Sequence, residues 1–410
     1  MLIEFRVENH RSLRDEQALT MEAANLGDKD DPRPREVDGH KEKLLPVAVL
    51  YGANASGKSN VLAALSFMQF AVSFSPFLWN LKGGIMRSPF AWGDKRNEPS
   101  LFEVTFVFSG TKYCYGFSIT SERVEEEWFF AWPKKRKQIW FERERQEFKF
   151  GDHLKGPNEV IKEVTDSNAL FLSTAGHHSH GQLKTPWSWF GGFQINVPPH
   201  TKYMKFFKMV KDSLNLQDDS DERWMANRLQ LVKAADIGVV DIKTIEKEKS
   251  VVNDDSKGPR TFLQHQLNDD DSWLPLEEES EGTKTLFKMA PSVFETIDTG
   301  GVLVIDELES SLHPALGLAI IELFNSPKTN PNNAQLIFTT HDTNLLGTTL
   351  GEPPLRRDQV WFAEKDKDGA SKIYPLTDYK PRNSENLERG YLQGRYGAIP
   401  YLGDLARIGE

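Results

Sequence analysis

Residues 52–59 read Gly-Ala-Asn-Ala-Ser-Gly-Lys-Ser, a complete G-x-x-x-x-G-K-[ST] loop, and few folds accept one. The motif works only between a buried strand and a helix. The chain supplies both. Leu45–Tyr51 is an apolar run with β-branched Val47 and Val49, and Asn60–Met68 is rich in good helix formers. Gly52 and Gly57 let the backbone of Ala53, Asn54, Ala55 and Ser56 wrap an anion with its N–H groups, and the helix that follows adds a partial positive charge. Lys58 is placed to reach the β- and γ-phosphates and the Ser59 hydroxyl to hold Mg²⁺. The expectation is an α/β fold that binds ATP with Mg²⁺.

The rest of such a machine lies far along the chain. Gly301–Glu307 is an apolar strand ending in two carboxylates. Asp306 is positioned for the Mg²⁺ shell, and Glu307 beside it can polarise an attacking water as a general base. A second apolar strand, Gln335–Thr340, delivers His341 to the same sheet edge, where its imidazole can sense the γ-phosphate. An acidic pair after a strand is weak evidence alone. Following a phosphate loop and followed by strand-Thr-Thr-His, it is strong.

Charge and composition narrow the class. With 60 acidic and 50 basic residues the net charge is −10, which disfavours a chain wrapped in nucleic acid but leaves room for a local basic groove. Mean hydropathy is −0.51 and no uninterrupted apolar run approaches the length of a membrane span. Glu4 and Arg6 in the first strand argue against a secretory signal. The single cysteine, Cys114, fits a reducing cytoplasm.

These motifs carry a family resemblance. Asp306–Pro314 resembles the D-E-x-E-x-x-L-H-P run of ABC-type ATPases in the SMC, RecF and OLD group, and Gly52–Asn60 is similar to that group's phosphate loop. Phe5–Ser12 resembles its opening strand and N-F-[KR]-S turn, with His10 where the group usually has Phe. The resemblance gives Arg11 a nucleotide contact. It also assigns Ser280 and Gly282, in Ser-Glu-Gly-Thr-Lys before a run that reads as a helix, to the signature that meets the γ-phosphate on a second subunit. It implies an ABC-type head, a parallel sheet with a flanking antiparallel one, that forms a homodimer or higher homo-oligomer around ATP. Gln359–Lys365, Tyr374–Arg382 and Glu388–Pro400 are similar to OLD-like ATPases of anti-phage and abortive-infection operons, of the RloA/AbiL type. There a separate effector, RloB-like or a Toprim nuclease, is implied. Rival readings are a DNA-repair clamp of the RecF kind and a slow ATP-sensing scaffold.

Asp306 lies 248 residues after Lys58, room enough to complete the sheet and to hold an insertion. Leu101–Phe108, Tyr113–Ile119, Glu127–Ala131 and Gln138–Phe150 alternate in the manner of strands. Thr201–Leu214 and Asp221–Ala235 carry apolar residues at helical spacing. Val239–Ile245 and Thr261–Gln266 return to strand character around the polar loop Lys249–Pro259. The expected division is an N-terminal ATPase lobe over 1–157, a short helical insertion over 158–235, a C-terminal ATPase lobe over 236–378 and a tail over 379–410.

Several features tempt. Pro133–Lys137 reads as an exposed basic turn, with nucleic-acid contact and nuclear import as alternatives. Gly176–Gly181, with His177, His178 and His180, reads as a solvent loop, because neighbouring histidines cannot all face one ion. Asp366 and Asp368 mimic a nuclease D-x-D but sit at the Asp-Gly turn of a hairpin. Tyr391–Leu402 groups Tyr391, Tyr396, Ile399 and Tyr401 with Arg389 and Arg395, a mix that suits an effector-docking surface or a tail packed on its own core.

Overall fold

A strand that is apolar at every position must be covered on both faces. Val47–Tyr51 (β3) is such a strand, buried throughout, and the covers are two different layers. Ala48 and Leu50 turn to a core shared with the long helix α1 (Lys58–Leu81) and an antiparallel sheet. Val47, Val49 and Tyr51 turn to a second core, under α6 (Glu281–Thr299), α7 (Pro314–Asn325) and α8 (Leu387–Leu392). The structure is a computed structural model that describes residues 1–28, 30–81, 84–197, 222–235, 238–245, 260–266, 272–348, 353–382 and 385–400.

The central sheet has six strands in the order β16 (Ser371–Pro375), β15 (Val360–Lys365), β3, β14 (Gln335–Thr339), β13 (Val302–Ile305), β9 (Phe193–Asn196). All are parallel except the edge strand β16, which pairs antiparallel with β15. The flanking sheet is wholly antiparallel. Its order is β2 (Gln17–Thr20), β1 (Leu2–Glu8), β4 (Ser100–Phe108), β5 (Thr111–Ile119), β6 (Val124–Trp132), β7 (Gln138–Glu144), β8 (Glu147–Phe150). A small third sheet joins β10 (Val239–Ile245), β11 (Arg260–His265) and β12 (Trp273–Pro275). This is the mixed α/β head expected, a parallel sheet with an antiparallel flank.

Helix α1 fills the space between the two large sheets. Val61, Leu62, Leu65, Phe67, Met68, Phe70 and Trp79 are each at most 2% exposed, and burying one such side chain stabilises the fold by about 1.5–3 kcal/mol. By length and composition Lys58–Trp79 is apolar enough to cross a membrane, but that apolarity is used in packing against the protein's own core.

The segment 158–235 differs from the expected insertion. Helices α2 (Asn158–Glu163), α3 (Phe171–His177) and α4 (Lys184–Trp189) precede β9, and β9 is an edge strand of the central sheet beside β13. α3 packs on α1 and α4 on α3. The part up to Asn196 therefore belongs to the head. The helix α5 (Glu222–Ala235) packs on α6, as an appendage to the other core. Thr201–Leu214 and the loop Lys249–Pro259 lie outside the described residues. Gln138–Phe150, expected as one strand, is the β7–β8 hairpin, turning at Arg145 with φ +54°.

Two further expectations change. His177 closes α3, and His180 is buried rather than in a solvent loop: its Nδ1 accepts from the Leu183 amide at 3.1 Å and its Nε2 sits 2.9 Å from Asn158 Oδ1. Tyr391 and Tyr396 are also buried, stacked on Phe362 in the second core, and Arg395 pairs with Glu385. Of the two readings of this stretch, Tyr391 and Tyr396 follow the tail packed on its own core, while Ile399 is exposed; Tyr401 lies outside the described residues. The Pro133–Lys137 turn is exposed as expected. Asp366 Oδ1 accepts from the Asp368 and Ala370 amides at 2.9 and 2.8 Å, the hairpin turn that its spacing implied.

Candidate nucleotide site

Parallel strands deliver their next residues to one edge, and ligands bind outside those carboxyl ends. Here β3 ends at the loop 52–57, β13 at Asp306 and Glu307, and β14 at Thr340 and His341. β3 lies directly beside β14, and β14 beside β13, so the three sets converge.

The loop requires its glycines. A Cβ on Gly52, at φ +154°, would lie 2.4 Å from the Ala363 carbonyl oxygen, and one on Gly57, at φ +106°, would lie 2.2 Å from Ser371 Oγ. Ala55 also takes a left-handed φ of +63°, at the exposed tip with Asn54. Lys58 opens α1 and is buried. Its Nζ donates to the Gly52 carbonyl at 2.8 Å and the Ala53 carbonyl at 3.1 Å, so its charge is folded into the loop it would serve. Burial lowers its pKa, against the pull of Asp306, Glu307 and Glu309.

Asp306 is the hub. Its Oδ1 accepts from Ser59 Oγ at 2.9 Å and from Thr339 Oγ1 at 2.7 Å. Thr339 Oγ1 in turn accepts from the Glu307 amide at 2.7 Å. A hard cation takes oxygen ligands, and a hydroxyl beside a carboxylate is the donor set that Mg²⁺ uses. Ser59 and Asp306 therefore fit the cation, and Ser56, whose buried Oγ has no hydrogen-bond partner, lines the loop meant for an anion. Glu307 is exposed and held at φ +55°, a costly conformation for a non-glycine residue of the kind that clusters at active sites.

Two neighbours complete the carboxylate edge. Glu309 Oε1 accepts from the His341 amide at 2.5 Å, while its Oε2 is buried with no hydrogen-bond partner among the described residues. The His341 imidazole has its pKa lowered, first by burial and then by the Lys58 charge, which keeps the ring neutral near pH 7.

Arg11 sits in the turn after β1 with φ +54°, its amide donating to the Ser88 carbonyl at 2.7 Å; its Nη1 is buried and unpartnered. Its neighbour Ser12 accepts from Asn60 and, at 2.7 Å, from Ser371 Oγ. Ser371 Oγ also donates to the Ser56 carbonyl at 2.7 Å, and since a hydroxyl has one proton, Ser12 donates within the pair whenever Ser371 serves that carbonyl. Ser280 caps α6, accepting from the Thr283 amide at 3.1 Å, and Gly282 lies against the Ser311 carbonyl. No hydrogen bond joins Ser280 or Gly282 to the loop 52–60 among the described residues. The structure thus gathers Lys58, Ser59, Asp306, Glu307 and His341, joins Asn60 to Ser12 beside Arg11, and sets Gly282 against Ser311 in the segment after the carboxylate pair.

Thr339, Glu309, Ser12 and Ser371 do site work that sequence reasoning did not assign. Thr339 lay in the strand-Thr-Thr-His run and Glu309 in the D-E-x-E run, which were the available signals. Nothing local marked Ser371.

The model of a family described as AAA domain, putative AbiEii toxin, Type IV TA system matches residues 47–347, which span this whole edge. Comparison with curated proteins gives no match. Among solved structures, one described as the crystal structure of the SmcHead bound to the C-winged helix domain of ScpA is similar, at 14% identity and a TM-score of 0.44, over 91% of this chain and 96% of that one.

Proposed function

Because the chain belongs to the AAA-domain family of P-loop ATPases described as putative AbiEii toxin of a Type IV TA system, we propose that it hydrolyses ATP with Mg²⁺, assembles around the nucleotide, and through that assembly controls a separate effector in anti-phage defence. The observation that carries the reading is the Ser59–Asp306–Thr339–Glu307 chain of hydrogen bonds behind a glycine loop whose lysine is folded inward.

ATP supplies the phosphoryl group and Mg²⁺ offsets its negative charge. Lys58 exchanges the Gly52 and Ala53 carbonyls for phosphate oxygens. Ser59 and Asp306 hold the cation shell, and Thr339 keeps Asp306 aimed. Glu307 takes the proton of the attacking water. His341, neutral and tied through its amide to Glu309, offers a hydrogen bond to the transferring group. Arg11 adds positive charge from the rim. Ser280 and Gly282, at a helix N-terminus that no hydrogen bond joins to the loop 52–60 among the described residues, complete the site of a second copy. Cys114, a buried free thiol whose pKa burial pushes up to about 12, suits a reducing compartment such as the cytoplasm. The effector, RloB-like or a Toprim nuclease, docks on a surface other than the buried Tyr391 and Tyr396.

Sedimentation of Glu307→Gln with and without Mg·ATP tests this. The expected result is a shift from a smaller to a larger species on adding ATP, abolished by Lys58→Ala, which removes the phosphate contact. A sedimentation profile indifferent to ATP, in a variant that binds a fluorescent ATP analogue, would sink the assembly step.

A further inference from the structure

The helix α8 and the turn after it lie beyond residues 47–347, yet they touch both loops that face the nucleotide. Tyr391 packs edge-on against Tyr51, the last residue before Gly52, with ring centroids 5.6 Å apart. It stacks on Phe362 at 5.4 Å, and its hydroxyl donates to the Ala398 carbonyl at 3.2 Å, which closes the turn. Burial raises its pKa while the neighbouring Gly52 amide pulls the other way, so the hydroxyl faces the first glycine of the loop. One turn earlier in α8, Glu388 Oε1 accepts from Thr343 Oγ1 at 3.1 Å. Its Oε2 packs so close to Gly347 that a Cβ there would fall at 2.2 Å. Both residues belong to the segment that follows His341. Tyr51 itself donates to the Asp342 carbonyl at 2.9 Å, joining the two loops beneath α8.

We propose that α8 is a seat for the nucleotide site, in which Tyr391 fixes the start of the phosphate loop and Glu388 fixes the segment that carries His341. Both are positioning residues. Their spacing, three apart on one helix, puts them on one face, so a single displacement of α8 releases both loops together. The C-terminal segment thereby gains leverage over ATP binding through Tyr391 and over turnover through Glu388, and whatever moves the tail sets the state of the site. The effect on turnover rests on the ATPase reading above; the seat itself does not.

The test uses Tyr391→Phe, which keeps the ring, and Glu388→Ala, with hydrogen–deuterium exchange of the full chain without nucleotide. Amide exchange in residues 52–57 should rise at least threefold in Tyr391→Phe, and in residues 341–347 at least threefold in Glu388→Ala, with thermal midpoints within about 2 °C of the parent. Steady-state kinetics should then split: Tyr391→Phe raises KM for ATP several-fold at near-parental kcat, and Glu388→Ala lowers kcat several-fold at near-parental KM, with Glu388→Gln recovering part of it. Exchange unchanged in both loops would overturn the seat, as would a loss of thermal stability with KM and kcat unmoved. Exchange changes in a chain whose parent fails to bind ATP would retain the seat and sink the ATPase reading instead.

Discussion

The two large sheets both bury charge, and they treat it in opposite ways. In the antiparallel sheet Glu127 and Arg143 are wholly buried and wholly satisfied. Glu127 accepts from Tyr115 Oη at 2.9 Å, Arg143 at 3.2 Å and the amides of Phe171 and Leu172 at 2.8 and 3.0 Å. Arg143 also donates to the Ala169 carbonyl at 2.6 Å and the Asp166 carbonyl at 3.2 Å. At the edge of the parallel sheet the pattern reverses. Among the described residues Lys58 is paired only with backbone carbonyls, and Glu309 Oε2 and Ser56 Oγ are buried without hydrogen-bond partners. Leaving such groups unmade costs about 1–3 kcal/mol each, which a fold tolerates where a ligand completes them. The Glu127–Arg143 pair serves the architecture, whereas the nucleotide edge keeps polar atoms that a ligand can complete.

The contrast breaks first at Glu307. Glu307→Gln keeps shape but cannot take a proton, so steady-state ATP turnover should fall about 10²–10⁴-fold. Its side chain is exposed, so chemical denaturation should stay within about 0.5 kcal/mol of the parent. Turnover at the parental rate would remove Glu307 as the base. The mirror experiment is Glu127→Ala, which strands a buried guanidinium and the first amides of α3. Guanidinium-induced unfolding should show a loss of about 3–5 kcal/mol, with ATP affinity of the folded fraction unchanged. A variant that kept its stability and lost ATP binding would erase the distinction between the two sheets.

Local patterns made much of this legible. Strand, glycine loop and helix at 45–68, and the acidic pair after Val302–Ile305, follow from spacing and short-range chemistry, and the structure has those elements where spacing put them. What escaped depends on partners far away. β9 is four residues whose strand character comes only from pairing with β13. The β7–β8 turn uses Arg145 and Gln146, with no Gly, Asn or Pro to announce it. Ser371 braces the phosphate loop across more than 300 residues of chain, and a lone serine advertises nothing. Tyr391 and Tyr396 beside arginines have the composition of an interface, but burial against Phe362 satisfies the same chemistry internally.

His10 shows that the contrast is not absolute, because it carries buried nitrogens unpartnered among the described residues without lining the site, as do Arg35, Trp79 and Trp361. Both ring nitrogens lack hydrogen bonds, and the ring packs at 5.8 Å from Phe67 and 5.4 Å from Phe102 as one more aromatic of the core. Burial, with a smaller push from Arg11, lowers its pKa to about 3. The folded ring thus stays neutral while the unfolded one takes up a proton below its ordinary pKa near 6.5. Stability from this group is therefore intact above that value and is lost as pH falls toward the folded pKa. His10→Phe replaces an orphaned polar ring by an apolar one of similar shape. It should stabilise the protein at pH 7 by about 1–3 kcal/mol, and the advantage should grow by about 2 kcal/mol at pH 5, where only the histidine chain pays for protonation in the unfolded state. Urea unfolding of both chains at the two pH values measures this. A variant less stable than the parent at pH 7, or a difference that does not widen at pH 5, would mean that the ring finds hydrogen-bond partners in solution.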